Sequence, residues 1–243
     1  MAFEKAELER YSRHILAYGI QAQERINQTK VAVIGAGGIG TLVLPLLAAS
    51  GVGSIHFFDH DSIEQSNLGR QFLYKPTDVG SKKAKRMSEL LHDINPHVNI
   101  YGYDKKFLTE DFEKIASCSF ILDGSDSIST KLLVNRLILK HEKEGMIAAL
   151  GRDQAHVMVI EKGQACYECL FTDLSDETEI HNCAAEGILS PFPSVVASQM
   201  TNLLIRRIIN GQYDGKLYIF EKSNCRNISI QKKLGCKICN KET

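Results

Sequence analysis

Apolar and polar positions along the chain fall into two alternating rhythms. Glu4 to Tyr18 carries Leu8, Tyr11, Ile15 and Leu16 at spacings that share one helical face. Thr29 to Ile34 is a short apolar run rich in β-branched residues, which reads as a buried strand. It runs into Gly35-Ala-Gly-Gly-Ile-Gly40, and Thr41 to Ser50 is again helical in character. Ser54 to Phe58 predicts a second strand, closed by Asp59. Ser81 to Asp93 predicts a lysine-rich helix, stopped by Asn95-Pro96. Val98 to Tyr103 and Ser119 to Leu122 predict the third and fourth strands, the latter ending in Asp123-Gly-Ser-Asp126. A helix over Ile128 to Lys140 and a strand over Met146 to Leu150 follow. Strands alternating with helices to residue 150 predict a Rossmann-like, doubly wound, mainly parallel sheet.

Beyond that point the rhythm changes. Ala155 to Glu161 reads as a strand. Gly163 to Ser190 is long, polar and cysteine-bearing, without a regular period, and such a segment inside a compact domain is usually functional or mobile. Pro191 and Pro193 precede a helix over Val195 to Ile209, and Lys216 to Phe220 pairs with Asn227 to Ile230 as an antiparallel C-terminal extension. No internal repeat or low-complexity stretch occurs.

Composition narrows the class. At 243 residues and 44% hydrophobic content the chain suits one large α/β domain, and two would be a tight fit. Lys plus Arg equals Asp plus Glu at 29 each, so the net charge is zero and nothing argues for general nucleic-acid or membrane binding. Met1 to Arg10 lacks the apolar segment of a signal peptide, and no apolar run approaches the ~20 residues that span a bilayer. A cytoplasmic location is the expectation. Four of the seven cysteines form two Cys-x-x-Cys pairs, Cys166/Cys169 and Cys236/Cys239. In a cytosolic chain these read as a metal site before a disulfide framework. Four thiolates make a closed, structural Zn²⁺ site that would tether the C-terminal tail to the long loop. The other reading is thiols without metal. Cys118 and Cys225 read as core or surface thiols.

Gly35, Gly37 and Gly40 form a G-x-G-x-x-G between a strand and a helix, with Gly38 beside them. Such glycines let the backbone approach a phosphate, and the helix N-terminus offers it unpaired N–H groups. Asp59, ending the next strand, suits a ribose hydroxyl. This much leaves NAD and ATP both open. The stretch Asp59-His-Asp61, Asn67-Leu-Gly-Arg70-Gln71 and Lys83 favours ATP, because attack on an α-phosphate needs cations around the spreading charge and the departing pyrophosphate. Asp126, at the carboxyl edge of the sheet, suits Mg²⁺. Taken singly, Lys83 also reads as part of a solvated lysine face, and Asp126 as the cap of the helix near Ile128.

Arg10-Tyr11-Ser12-Arg13, the Gly35–Gly40 loop, Asp59-His-Asp61, Ser66-Asn67-Leu-Gly-Arg70-Gln71, Lys83, Asn95-Pro96 and Asp123-Gly-Ser-Asp126 come in an order and spacing that resembles the ThiF/MoeB/HesA adenylyltransferases, relatives of the ubiquitin-activating enzymes. The likeness runs from Arg10 to Cys239. It implies a single adenylation domain over 1–243: N-terminal helices in 1–28, a nucleotide-binding half in 29–150, and a carrier-binding, zinc-bearing half in 151–243. It implies attack by the C-terminal glycine carboxylate of a small ubiquitin-like sulfur carrier on ATP, giving acyl-adenylate and pyrophosphate, in thiamine or molybdopterin cofactor biosynthesis. By the same resemblance Asp59 is the ribose acid; Asn67, Arg70 and Lys83 are the phosphate-binding set; and Asp126 is the Mg²⁺-associated acid. Asp61, Gln71 and the glycines join the nucleotide site. Arg13 resembles an arginine delivered into the neighbouring subunit's site, which implies a homodimer. The four paired cysteines match zinc ligands. Cys183, in His181-Asn-Cys183, resembles a loop cysteine that forms a covalent carrier adduct in some members and is dispensable in others.

The sequence departs from that pattern at Ser190-Pro-Phe-Pro-Ser194 and at Gly151-Arg-Asp-Gln154. Both departures bear on the carrier rather than on adenylation. The competing readings are an NAD-dependent oxidoreductase, an ATP-dependent relative that modifies a tRNA base, and an inert scaffold that binds a carrier.

Overall fold

A computed structural model describes residues 3–152, 154–171, 187–221 and 224–240. The N-terminus forms α1 (Lys5–Arg10), α2 (Ser12–Tyr18) and α3 (Ile20–Gln28). The nucleotide half continues as β1 (Lys30–Ile34), α4 (Gly40–Ser50), β2 (Ser54–Asp59), α5 (Lys83–Ile94), β3 (Asn99–Asp104), α6 (Phe112–Ile115), β4 (Phe120–Asp123), α7 (Ile128–Lys140) and β5 (Glu144–Leu150). After it come β6 (Gln154–Ile160), α8 (Tyr167–Leu170), α9 (Pro191–Asn210), β7 (Leu217–Glu221) and β8 (Asn224–Ile228).

The strands form one sheet in the order β3-β2-β1-β4-β5-β6-β7-β8. The first five are parallel and the last three join antiparallel. Strand order reverses between β1 and β4, and in such sheets ligands collect at that switch point, outside the carboxyl ends of the strands. Alternate residues of each strand serve opposite faces. Val31, Val33 and Phe57 pack toward α3, α4, α5 and α9, whereas Ala32, Ile34 and Phe58 pack toward α6 and α7. Among the described residues no helix is long and apolar enough to cross a membrane.

Three elements differ in detail from the sequence reading. The expected helix over Glu4 to Tyr18 breaks at Tyr11, whose backbone leaves helical geometry. Its side chain is fully buried, and a Cβ on Gly51 would lie 2.6 Å from the ring. The hydroxyl accepts a hydrogen bond from Asn95 Nδ2 at 2.8 Å, and the same amide donates to the Ala48 carbonyl at 2.7 Å. A residue anchored from outside its helix ends it. The long C-terminal helix starts at Pro191 rather than Val195, because prolines in a first helical turn give up no intrahelical bond. β8 begins three residues before the expected Asn227, in a register set by the Glu221–Asn224 pair.

Candidate functional site

β1 delivers the chain to the glycine loop at the switch point. Gly35 has φ +90°, and a Cβ there would lie 3.1 Å from the Ser125 nitrogen, so the turn is open to glycine alone. Gly40 is tighter still: a Cβ would meet the Gly35 carbonyl oxygen at 1.9 Å. The loop's shape is fixed from β2 as well. Ala36 N–H donates to Asp59 Oδ2 at 2.7 Å, and Asp61 N–H donates to Oδ1 at 2.9 Å. Each carboxylate oxygen keeps a further lone pair for a ligand hydroxyl. Burial pushes the Asp59 carboxyl up, against the pull of Lys83 and the two N–H donors.

The cationic side chains converge on this loop. Arg70 Nε would lie 3.8 Å from a Cβ on Gly38, so the guanidinium stem crosses directly over the turn. The side chain is steadied by Nη1 donating to the Ser66 carbonyl at 3.2 Å. Lys83, the first residue of α5, is buried rather than solvated, and its ammonium meets Asp61 Oδ2 at 2.8 Å. Partial burial works against ionisation of Asp61, yet the hydrogen bond and charge of Lys83 outweigh it and hold the carboxyl below its ordinary range. Asn67 accepts the Glu64 N–H through Oδ1 at 3.1 Å, which orients its amide. Gln71 is buried, and its Oε1 has no hydrogen-bond partner among the described residues.

The β4–α7 loop closes the other side. The cap of α7 is Ser127, whose hydroxyl accepts from Thr130 N–H, and not Asp126. Asp126 is exposed and has no hydrogen-bonded or ion-paired partner among the described residues. Together Gly35, Gly37, Gly38, Asp59, Asp61, Asn67, Arg70, Gln71, Lys83 and Asp126 line one cavity of about 1410 Å³. That exceeds the ~300–1,000 Å³ of a single small-ligand pocket and leaves room for a second reactant beside a nucleotide. Gly40 sits behind the wall, in the first turn of α4. Arg13 is exposed on α2 and lines no part of the cavity. Cys183 lies outside the described residues.

Residues that the sequence reading did not select build the other end of the cavity: Lys131 beside the β4 loop, His156 on β6, Tyr167 and Leu170 on α8, then Phe171, Leu217 and Ile219. Arg152, in a segment that departs from the family pattern, lines it too. Alternation along β7 accounts for Leu217 and Ile219 sharing one face, but nothing local in the sequence places that face beside the glycine loop.

α8 also carries half of the cysteine cluster. Cys166, Cys169, Cys236 and Cys239 bring their sulfurs within 4.8 Å of one another. The separations are 3.9 Å for Cys166–Cys169, 3.7 Å for Cys166–Cys236 and 3.2 Å for Cys169–Cys239. A tetrahedral Zn²⁺ with bonds of ~2.3 Å sets its sulfurs about 3.8 Å apart. The donor set therefore fits zinc, and an ion held by all four thiolates would have no position open to water. Cys118 is buried and Cys225 exposed, both apart from the cluster.

Comparison with known proteins bears on the whole chain. The curated sulfur carrier protein adenylyltransferase of Thermus thermophilus is 31% identical, with 100% of this chain and 94% of that protein covered. The SAMP-activating enzyme E1 of Haloferax volcanii is 27% identical over 98% of this chain and 91% of its own length. The adenylyltransferase and sulfurtransferase MOCS3 of Xenopus laevis is 32% identical, but 95% of this chain covers 53% of it, so the chain spans about half of that protein. Among solved structures, E. coli MccB with ATP superposes with a TM-score of 0.79 at 22% identity, over 95% of this chain and 74% of that one. At such identity the likeness is one of fold. The glycine loop, the acid of β2 and the cationic segment after it lie within residues 11–237, the stretch that the family model matches, and the chain belongs to the ThiF family.

Proposed function

We infer that the protein is an ATP-dependent adenylyltransferase that activates the C-terminal glycine carboxylate of a small ubiquitin-like sulfur-carrier protein. The observation that carries this reading is the convergence of Arg70 and Lys83 on one cavity above the glycine turn. A hydride-transfer site needs no such cations, whereas a triphosphate does. The names of the full-length relatives, sulfur carrier protein adenylyltransferase and SAMP-activating enzyme E1, support the acceptor class. Thiamine or molybdopterin cofactor biosynthesis is the setting that the family suggests.

In this reading ATP lies along the glycine loop, with its ribose hydroxyls on Asp59 and its phosphates against Arg70, Lys83, Asn67 and Gln71. The carrier's tail occupies the end of the cavity lined by Leu170, Phe171, Leu217 and Ile219. One carboxylate oxygen forms a bond to the α-phosphorus as the bond from that phosphorus to the bridging oxygen breaks, and pyrophosphate leaves. Carboxylates are already nucleophilic when ionised, so the chain positions the reactants and neutralises charge without needing a general base. Mg²⁺, held at Asp126, would supply further neutralisation of the phosphate oxygens. Arg13 is read as acting in the partner's site of a homodimer. The exposed Leu16 and Tyr18 on the same helix give it an apolar surface for a second copy. A cytoplasmic setting is read from cysteines arranged as metal ligands rather than disulfides.

The deciding experiment is carrier-dependent pyrophosphate release with candidate small proteins ending in Gly-Gly. Lys83→Ala and Asp126→Ala should each lower ATP–pyrophosphate exchange by roughly 10²-fold or more. Unchanged exchange in both variants, or tight NADH binding without ATP binding, would overturn the assignment.

A further inference from the structure

Beneath the loop that carries Asp126 lies a buried ion pair. Lys131 Nζ meets Asp123 Oδ2 at 2.8 Å, with side chains 4% and 0% exposed. The same ammonium donates to the Ser125 carbonyl at 2.5 Å and to the Ala148 carbonyl at 2.6 Å. A lysine has three N–H donors, and here each has an acceptor. The acceptors belong to three different pieces of the carboxyl edge: the end of β4, the loop after it, and β5.

This arrangement is poorly explained as a stability device. Taking both charges out of water costs several kcal/mol per ion, and an apolar pair of similar volume often does as well. Lys131 also sits in the first turns of α7, where the helix dipole disfavours a cation. Its side chain reaches back toward the helix N-terminus, as helical side chains do, and so arrives under the loop. The pair is better explained by what it fixes. Asp123 Oδ1 accepts the Ser125 hydroxyl at 2.6 Å and the Ser125 N–H at 3.3 Å, so its two oxygens grip the lysine and the loop at once. At the end of the neighbouring strand β1 the loop abuts Gly35, whose hypothetical Cβ would touch the Ser125 backbone. Ser125 is therefore tied on every side, and Asp126, the next residue, is the exposed one without a partner among the described residues.

We propose that Lys131 is a positioning residue for the divalent cation: with Asp123 it clamps the 124–127 loop so that the Asp126 carboxylate faces the metal on the nucleotide's phosphates. This rests on the reading of Asp126 as the metal-associated acid. Mg²⁺ demands near-octahedral geometry at short bonds, so a carboxylate on a loosened loop loses much of its grip on it. Residues that orient a ligand from behind cost ~10–100-fold in metal affinity when removed.

The test compares ATP affinity in Mg²⁺ with ATP affinity in EDTA, by calorimetry on the full chain, with AMP as the reference ligand. The wild type should bind ATP more tightly with Mg²⁺, and Asp126→Ala should lose that gain. The double variant Lys131→Met/Asp123→Asn leaves no buried charge unpaired. It should lose roughly tenfold of the gain while AMP affinity is retained. Ser125→Ala keeps the ion pair and removes only the hydroxyl tie. It should show the same loss in smaller measure, and it decides the matter if the double variant does not fold. A full Mg²⁺ gain in these variants, with Asp126→Ala defective, would overturn the role of Lys131 alone. A parallel loss of AMP binding would make the pair a general support of the pocket and overturn the proposal too. A full gain in Asp126→Ala would sink the reading of Asp126 itself.

Discussion

His156 shows how a single side chain can make this fold sensitive to acid. Its Nε2 lies 3.1 Å from the Tyr167 hydroxyl, and its ring stacks on Phe171 at 4.9 Å. Burial, helped by the charge of Lys131, pushes the imidazole down to about 4. In the unfolded chain a histidine titrates near 6.5, so as pH falls the unfolded state takes up the proton first. The contribution is present above about 6.5 and drains away toward about 4, amounting to about 3 kcal/mol across the window. His156→Phe, which cannot take up that proton, should therefore lose less stability than the wild type between pH 7 and pH 5, as read from urea midpoints. Equal pH slopes for variant and wild type would exclude this role. At the same scale, Lys83 and Lys131 show what residue type conceals. Lys83 lines up with Met87 and Leu91 on the buried stripe of α5, and Lys131 lines up with Val134 and Ile138 on that of α7. The period was there to be read, but lysine is so seldom buried without a partner that composition pulled the other way. Only the partners, Asp61 and Asp123, turn those positions into sites.

Among the elements, α8 is the one whose existence depends most on distant chain. It is a single turn, too short to hold itself together. Cys166 caps it, Cys169 lies on it, Tyr167 N–H donates to Asn135 Oδ1 at 3.0 Å, and Glu168 pairs with Arg136 at 2.9 Å. The cysteines tie it to the C-terminal tail, 70 residues away along the chain. By chain entropy a cross-link over such a span is worth about 4 kcal/mol. Stripping the metal with a chelator should lower Tm by roughly 10 °C, and added Zn²⁺ should restore it. An unchanged melting curve in a sample shown to be metal-free would mean that the thiols hold nothing. Element boundaries were legible where local signals set them. The glycine turn, Asn95 after α5 and the prolines opening α9 mark their ends to within a few residues. The break at Tyr11 was not legible, because Leu8, Tyr11 and Ile15 keep an unbroken helical period and the cause lies far off, at Gly51 and Asn95.

On the scale of the whole molecule, alternation of strands and helices up to residue 150 sufficed to fix the parallel half, and with it the switch point where the cavity lies. The antiparallel half was visible only as strands; that β6 and β7 complete the same cavity is a matter of register that no local pattern records. Arg13 lies beyond both kinds of reading, since the role proposed for it needs a second copy of the chain. Mixed subunits make that role testable. Arg13→Ala and Asp126→Ala should each be inactive alone. A heterodimer of the two has one site with neither change, provided Arg13 acts across the interface. Activity should then return on mixing under conditions that exchange subunits. No recovery, with exchange verified, would return Arg13 to its own subunit or to the surface.

The hydrogen-bonded ladder runs without interruption from β3 to β8, and β5 is shared by the parallel and antiparallel portions. Among the described residues the sheet has no seam along which the nucleotide end of the cavity can swing away from the opposite end without tearing main-chain bonds. Both partners of the proposed reaction must therefore reach one another on an unbending anvil. Whatever admits the two reactants and lets pyrophosphate out must therefore act at the loops around that floor, and not by bending the sheet itself.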